Sequence, residues 1–158
     1  MSAPSFNDLL LSKVSELEQA IPTQHLQAPS VSKVQLGWHI EHSLLTINRI
    51  IGALEKSDPD AYKRKFNIGR LIMFKAKFFP RGRAQSPKAV IPKEFDEVTL
   101  MTHVVSTRER LPGLEQLEEN KYFYHPYLGN LNVEDAKRFL LIHTEHHLKI
   151  IRDIAKAQ

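Results

Sequence analysis

The sequence predicts an all-α fold, a four-helix bundle with a long crossover connection. Three observations carry this. Apolar residues return at helical spacing in four or five separate stretches, and no stretch alternates convincingly as a strand would. The segment from Pro80 to Pro92 reads as one long loop, and a connection of that length inside a compact domain usually covers a site or crosses the end of a bundle. At 158 residues the chain is one domain, 1–158, large enough to bury a proper core.

The first helix is expected from about Phe6 to Ala20, with Leu9, Leu10, Val14 and Leu17 as its inner stripe and Pro22 ending it. A polar connection with Pro22 and Pro29 follows. Ser32 is placed to cap a long second helix that reaches about Lys56. Along it Leu36, Ile40, Leu44, Ile47, Ile51 and Leu54 recur every three or four residues, which makes one face apolar throughout. After Asp58, Pro59 suits a first helical turn, and Asp60 to Phe66 reads as a separate short turn. A third helix is expected over Ile68 to Phe79.

The loop follows, marked by Pro80-Arg81-Gly82-Arg83, Ser86-Pro87 and Ile91-Pro92. A fourth helix starts near Lys93 to Phe95 and carries Phe95, Val98, Leu100, Met101, Val104 and Val105; Pro112 should bend it or divide off Leu114 to Glu119. Asn120 to Leu131 reads as an aromatic loop. Asn132, with Asp135 three residues on, caps a last helix over roughly Val133 to Ala157.

Composition removes several chemistries. With no cysteine, disulfides, thiolate-metal sites and a cysteine nucleophile are excluded. The N-terminal segment has no basic run, and Leu9-Leu10-Leu11 is too short for a signal sequence or anchor, so a cytoplasmic protein is expected. Charge is uneven along the chain. Of 22 basic residues ten lie between Tyr62 and Lys93, where no acid occurs, which leaves 12 against 18 acidic ones elsewhere, a net of −6. Such a block is a solvated face or an attractor of anions. Arg81, Arg83 and Lys88, on the loop, are its candidate anion-binding residues.

The most informative stretch is Ile142-His143-Thr144-Glu145-His146-His147 in the last helix. His143 and His147 are four apart, so they stack one turn above the other and can close on one metal ion. Taking about 100° per residue from Phe139, His143 falls near roughly 40° and His147 near roughly 80°. That is the middle of the stripe made by Phe139, Leu140, Ile150, Ile151 and Ile154. Glu145 stands in the wrong place for the His-Glu-x-x-His pattern, which removes the zinc-peptidase reading. His146 reads as a rim residue and Glu145 as solvent-facing. His25 and His103 belong to no constellation.

A third ligand must come from another helix, and Trp38-His39-Ile40-Glu41-His42 offers two. On the second helix's wheel His39 lies at the edge of the apolar stripe, near roughly 300°, and His42 near roughly 240°. This favours His39 as the inward ligand, with His42 as a flanking group or alternative ligand. His125, beside Pro126, could reach the site from above or anchor its own loop.

Three stretches, Trp38-His39-Ile40-Glu41-His42-Ser43-Leu44-Leu45, His125-Pro126-Tyr127-Leu128-Gly129-Asn130-Leu131-Asn132 and His143-Thr144-Glu145-His146-His147-Leu148-Lys149-Ile150-Ile151, resemble the DinB-like superfamily. The likeness is to its bacterial branch with a His-Pro-x-x-Gly segment. The resemblance implies a four-helix bundle with a long crossover, often dimeric. It also implies a divalent metal, frequently nickel or zinc, bound by one histidine of the second helix and an H-x-x-x-H pair of the last. Carried across, those positions are His39, His143 and His147. The superfamily includes thiol-dependent transferases and isomerases.

Three neutral imidazoles leave a divalent ion strongly Lewis acidic with a position open to water or substrate. The expected function is therefore metal-dependent hydrolysis, or transfer or isomerisation of a small molecule with a small thiol. The alternative is a non-catalytic, metal-holding or structural bundle of stress response. Nucleic-acid binding through residues 62–93 is the remote third, since no recognised motif accompanies the basic residues.

Overall fold

The computed structural model describes residues 3–82 and 85–158. It is mainly α-helical, with five helices and a small two-stranded sheet. α1 (Phe6–Gln19) opens with a capping box: the Ser5 hydroxyl accepts from the Asp8 amide, and the Asp8 carboxylate accepts from the Ser5 amide. Its buried stripe is Leu10, Val14 and Leu17, while Leu9, expected in the same stripe, is exposed.

α2 (Leu36–Lys56) starts later than its predicted cap. Gln35 occupies the cap position and makes no side-chain bond there. The preceding loop does the work instead: the Leu36 amide donates to the Leu26 carbonyl at 2.9 Å and the Gly37 amide to the Gln24 carbonyl at 2.8 Å. Two of the orphan donors of the first turn are thus satisfied by backbone. Ser32 is released from capping and turns its hydroxyl elsewhere.

α3 (Ile68–Ala76) is capped by Asn67 and ends before Phe78 and Phe79, which sequence periodicity includes in the helix. Lys77 stops it in the left-handed conformation, φ 51°, with its amide on the Met73 carbonyl. The loop beyond contains one turn of 3₁₀ helix, Lys88–Val90. α4 (Glu97–Arg110) is capped by Asp96 and runs into a 3₁₀ segment, Leu111–Gln116, where Pro112 was expected to interrupt the helix.

The aromatic segment is where the all-α expectation fails. Tyr122–His125 (β1) and Gly129–Asn132 (β2) pair antiparallel, with Phe123 opposite Leu131 and His125 opposite Gly129. The Leu128 amide closes a turn on the His125 carbonyl, and Gly129 follows at φ 73°. A turn followed by a left-handed glycine is a common hairpin closure. Asn132 ends β2 and caps α5 (Val133–Lys156), accepting from the Asp135 amide.

α1, α2, α4 and α5 share one core: α2 packs on α5 and α4, and α1 packs on the same two. Leu10, Leu17, Ile40, Leu44, Ile47, Leu100, Leu140 and Ile151 lie inside it. Arg152 and Lys13 bridge α5 and α1 through Glu16 and Glu145. Glu145 therefore faces α1 across an ion-pair network and does not simply point into water. α3 reaches this core through Met73 and Phe74 alone, and Ile68, Leu71 and Ile72 on it are exposed, as is Phe66 just before it. Among the described residues no helix is long and apolar enough to cross a membrane.

Candidate metal centre

The site lies where α2 and α5 face each other beneath the Lys88–Val90 turn. α2 is buried on nearly all sides here: His39, Ile40, Glu41, His42, Ser43 and Leu44 are each inaccessible. A wheel centred on the apolar stripe therefore does not point at the site, which is covered on its far side by loop rather than helix.

One imidazole nitrogen from each of His42, His143 and His147 lies within 4.8 Å of the other two. The His42 and His143 Nε2 atoms are 3.2 Å apart. Two nitrogens bound to one tetrahedral zinc at about 2.0–2.1 Å would be about 3.3 Å apart, so this spacing suits a shared ion. His42 also has a fixed tautomer. Its Nδ1 is 2.7 Å from the Val90 carbonyl oxygen, which can only accept, so Nδ1 carries the proton and Nε2 presents its lone pair.

His39, the favoured helix-2 ligand from the wheel, stands one shell back. Its Nδ1 is 2.9 Å from Nδ1 of His147 and its Nε2 is 2.9 Å from the Ser32 hydroxyl. Both of its nitrogens are engaged, and the chain Ser32–His39–His147 orients the His147 ring from behind. Metal-bound histidines commonly have such a partner on the second nitrogen. The histidine that joins the α5 pair in the close cluster is His42, the residue that sequence reasoning had put second.

Aromatic rings wall the cluster. Trp38 stacks on His42 at 4.8 Å between centroids and Phe139 on His143 at 5.4 Å, each aromatic one helical turn from its histidine. His143 Nδ1 is buried with no hydrogen-bond partner. Burial pushes the pKa of His143 and His147 well below the ordinary value, and neighbouring histidines add to it: His42, His146 and His125 for His143, and His143, His42, His39 and His146 for His147. His39 is lowered to about 3, first by burial and then by the charges of His42, His146 and Arg81. For His42 burial lowers the pKa against the opposing Val90 carbonyl. The donor set is neutral at pH 7, the form in which imidazole binds metals.

His125 approaches from the hairpin, its ring 5.0 Å from Phe139. The Tyr127 amide donates to its Nδ1 at 3.2 Å, so in the neutral ring the proton sits on Nε2. Burial holds its pKa down to about 4, and His146, beside Phe79, is lowered to about 4 for the same reason. His103, assigned no constellation, makes a 2.9 Å pair with the buried Glu41 carboxylate, between α4 and α2 and away from the cluster.

Of the three candidate anion-binding residues, Arg81 lines the cavity beside the cluster and pairs with Asp153 at 2.8 Å, Lys88 is exposed, and Arg83 lies outside the described residues. The basic block is not a continuous patch. Arg70 is buried, and Arg64 is paired with Asp135. Arg70 donates to the carbonyls of Lys65, Leu128 and Asn130, which spends its charge on holding α3 to the hairpin.

Sequence reasoning missed Ser32, Thr46, Arg49 and the Val90 carbonyl. Thr46 and Arg49 follow His42 by four and seven residues, so the helical wheel contained them once His42 was the reference. The Val90 contact had no signal in sequence. No protein-family model matches the chain, and no curated protein or solved structure matches it significantly.

Proposed function

We propose that His42, His143 and His147 hold a divalent metal ion, nickel or zinc, in a four-helix bundle of the DinB-like type. On this reading the protein is a metal-dependent hydrolase, or a thiol-dependent transferase or isomerase, acting on a small molecule. The observation that carries it is the pair of Nε2 atoms 3.2 Å apart with the His42 lone pair directed at His143. The unpartnered His143 Nδ1 and the neutrality of the ligand set support it. So does the order of α1, α2, α4 and α5 around one core, with the long 77–96 connection crossing between α3 and α4.

Bound there, the ion would supply Lewis acidity at a coordination position left to water or substrate. The chain's own residues do the rest. Val90 and His39 fix the orientation of His42 and His147, Trp38 and Phe139 exclude water from the ring faces, and His125 presents an Nε2–H donor from the hairpin.

Elemental analysis of protein purified without a histidine tag tests this. About one nickel or zinc per chain is expected, and a triple alanine variant at His42, His143 and His147 should contain none. Equal metal in both proteins would sink the assignment. The non-catalytic alternative predicts that the same variant loses stability alone.

Self-association belongs to the same proposal. Val98, Met101 and Val105 leave an apolar stripe exposed along α4. Two copies crossing antiparallel on this face would bury the stripe of one against the stripe of the other, the self-complementary contact of an isologous dimer. Sedimentation should give a dimer that Val98→Glu with Met101→Glu converts to a monomer; an unchanged mass would remove the interface.

A further inference from the structure

Above the imidazole cluster opens a cavity of about 1300 Å³, beyond the usual range of about 300–1,000 Å³ for small-molecule sites. Among the described residues no carboxylate lines it, although the chain has 18 acidic residues. Its walls are largely apolar and aromatic, with Trp38, Ile72, Met73, Phe78, Phe79 and Ile150 among them. Its cationic groups are Lys33, Arg49 and Arg81, and of these only Arg81 is in an ion pair among the described residues.

α2 supplies the polar line through this cavity. His42, Thr46 and Arg49 follow one another on the same helix face, four and seven residues apart. The Thr46 hydroxyl is buried with no hydrogen-bond partner, not even the carbonyl one turn back that threonines in helices commonly use. Arg49 stands two turns from His42, about 10 Å along the helix axis.

We propose that the cavity binds an organic acid with an apolar body, its carboxylate or phosphate held by Arg49 and its far end brought to the imidazole cluster. Such a ligand matches each feature in turn. The guanidinium takes the anion without competition from a protein carboxylate, the aromatic wall takes the hydrocarbon, and the Thr46 hydroxyl, one helical turn before Arg49, has an oxygen of the same anion as its partner. A neutral ligand would leave Arg49 unused, and a cation would meet only positive charge. The proposal names the substrate class for the metal centre and rests on that reading only for what occurs at the imidazole end.

Calorimetric titration with decanoate and with decan-1-ol, on zinc-loaded and zinc-stripped protein, tests it. Decanoate should bind once per chain, at least tenfold tighter than the alcohol in both forms. It should also shift the emission of Trp38, the single tryptophan, which lies in the cavity wall. Arg49→Gln, an exposed position where folding is not at stake, should abolish the preference while leaving alcohol affinity and zinc content unchanged. Equal affinities for acid and alcohol, a preference that survives Arg49→Gln, or saturation without a change at Trp38 would each overturn the proposal. A preference lost on zinc removal would place the carboxylate on the metal and overturn it too. If the protein takes up no zinc yet keeps the Arg49-dependent preference, the metal centre fails and the acid site stands.

Discussion

His42 donates its Nδ1 proton to the carbonyl oxygen of Val90 at 2.7 Å, a contact between residues 48 apart in the chain. A backbone carbonyl in the Lys88–Val90 turn thereby decides which nitrogen of a helix histidine is free to bind a cation. His39, three residues earlier, has both nitrogens engaged by Ser32 and His147. The two histidines should separate in a zinc competition titration against a chromophoric chelator. Losing an orienting partner costs about 10–100-fold in affinity, and His39→Ala should fall in that range. His42→Ala removes a ligand and should lose more than that. If His39→Ala is the more damaging, the ligand assignment is reversed.

Metal and stability are linked through the same residues. An ion that binds only the folded chain adds about 2.7 kcal/mol at a free concentration 100 times its Kd. For a domain of this size that is a rise in Tm of roughly 5–11 °C, at about 2–4 °C per kcal/mol. Thermal melts with and without zinc should show it in the wild-type protein, and His143→Ala should abolish it. An equal shift in that variant would put the stabilising ion elsewhere.

How much of this was legible in the sequence depended on where each partner came from. The helices carrying Leu36 to Leu54 and Phe139 to Ile154 were readable because their periodicity runs over many turns. The His143–His147 pair was readable for the same reason, both residues lying on one helix. The choice between His39 and His42 was not, because Val90 and Ser32 act from loops that no periodicity reaches. The hairpin was missed because Tyr122-Phe123-Tyr124 puts aromatics on both faces, which hides the alternation that marks a strand. The basic block is less uniform than composition suggests, because Arg70 is buried and Arg64 is paired with Asp135, uses that a residue count cannot carry.

Arg70 offers a test of how the hairpin is held. Its guanidinium is buried and donates to the Lys65 carbonyl at 2.6 Å, to Asn130 at 3.1 Å and to Leu128 at 3.4 Å. Hydrogen bonds from a charged donor are worth about 1.5–3 kcal/mol, and the carbonyls left behind would be short of donors. Arg70→Met keeps the apolar stem and should destabilise by about 2–3 kcal/mol. Amide exchange should quicken at residues 122–132 more than in α2 or α5, with zinc content unchanged. Uniform loss of protection would mean that Arg70 supports the whole core.

Gly37 and Gly52 both lie in α2 and should respond to alanine with opposite signs. In a helix alanine is favoured over glycine by about 1 kcal/mol. At Gly52 an added Cβ would meet only Arg110 Nη2, at 3.4 Å, the far end of a flexible side chain. Gly52→Ala should therefore raise Tm by a few degrees, at about 2–4 °C per kcal/mol. At Gly37 the Cβ would stand 2.4 and 2.8 Å from two ring carbons of Phe95 and 2.9 Å from Gln24 Cβ. Overpacking of this kind costs about 1–3 kcal/mol, which exceeds the propensity gain. The Gly37 amide is also bonded to the Gln24 carbonyl, so the turn cannot retreat without breaking its own cap. Trp38 and His39 follow directly, and a shifted first turn moves both against His42 and His147. Gly37→Ala should then lower Tm and weaken zinc binding together, whereas Gly52→Ala should leave zinc affinity alone. Were Gly37→Ala to lower Tm with zinc affinity intact, the first turn of α2 would be shown to pack independently of the cluster it leads into.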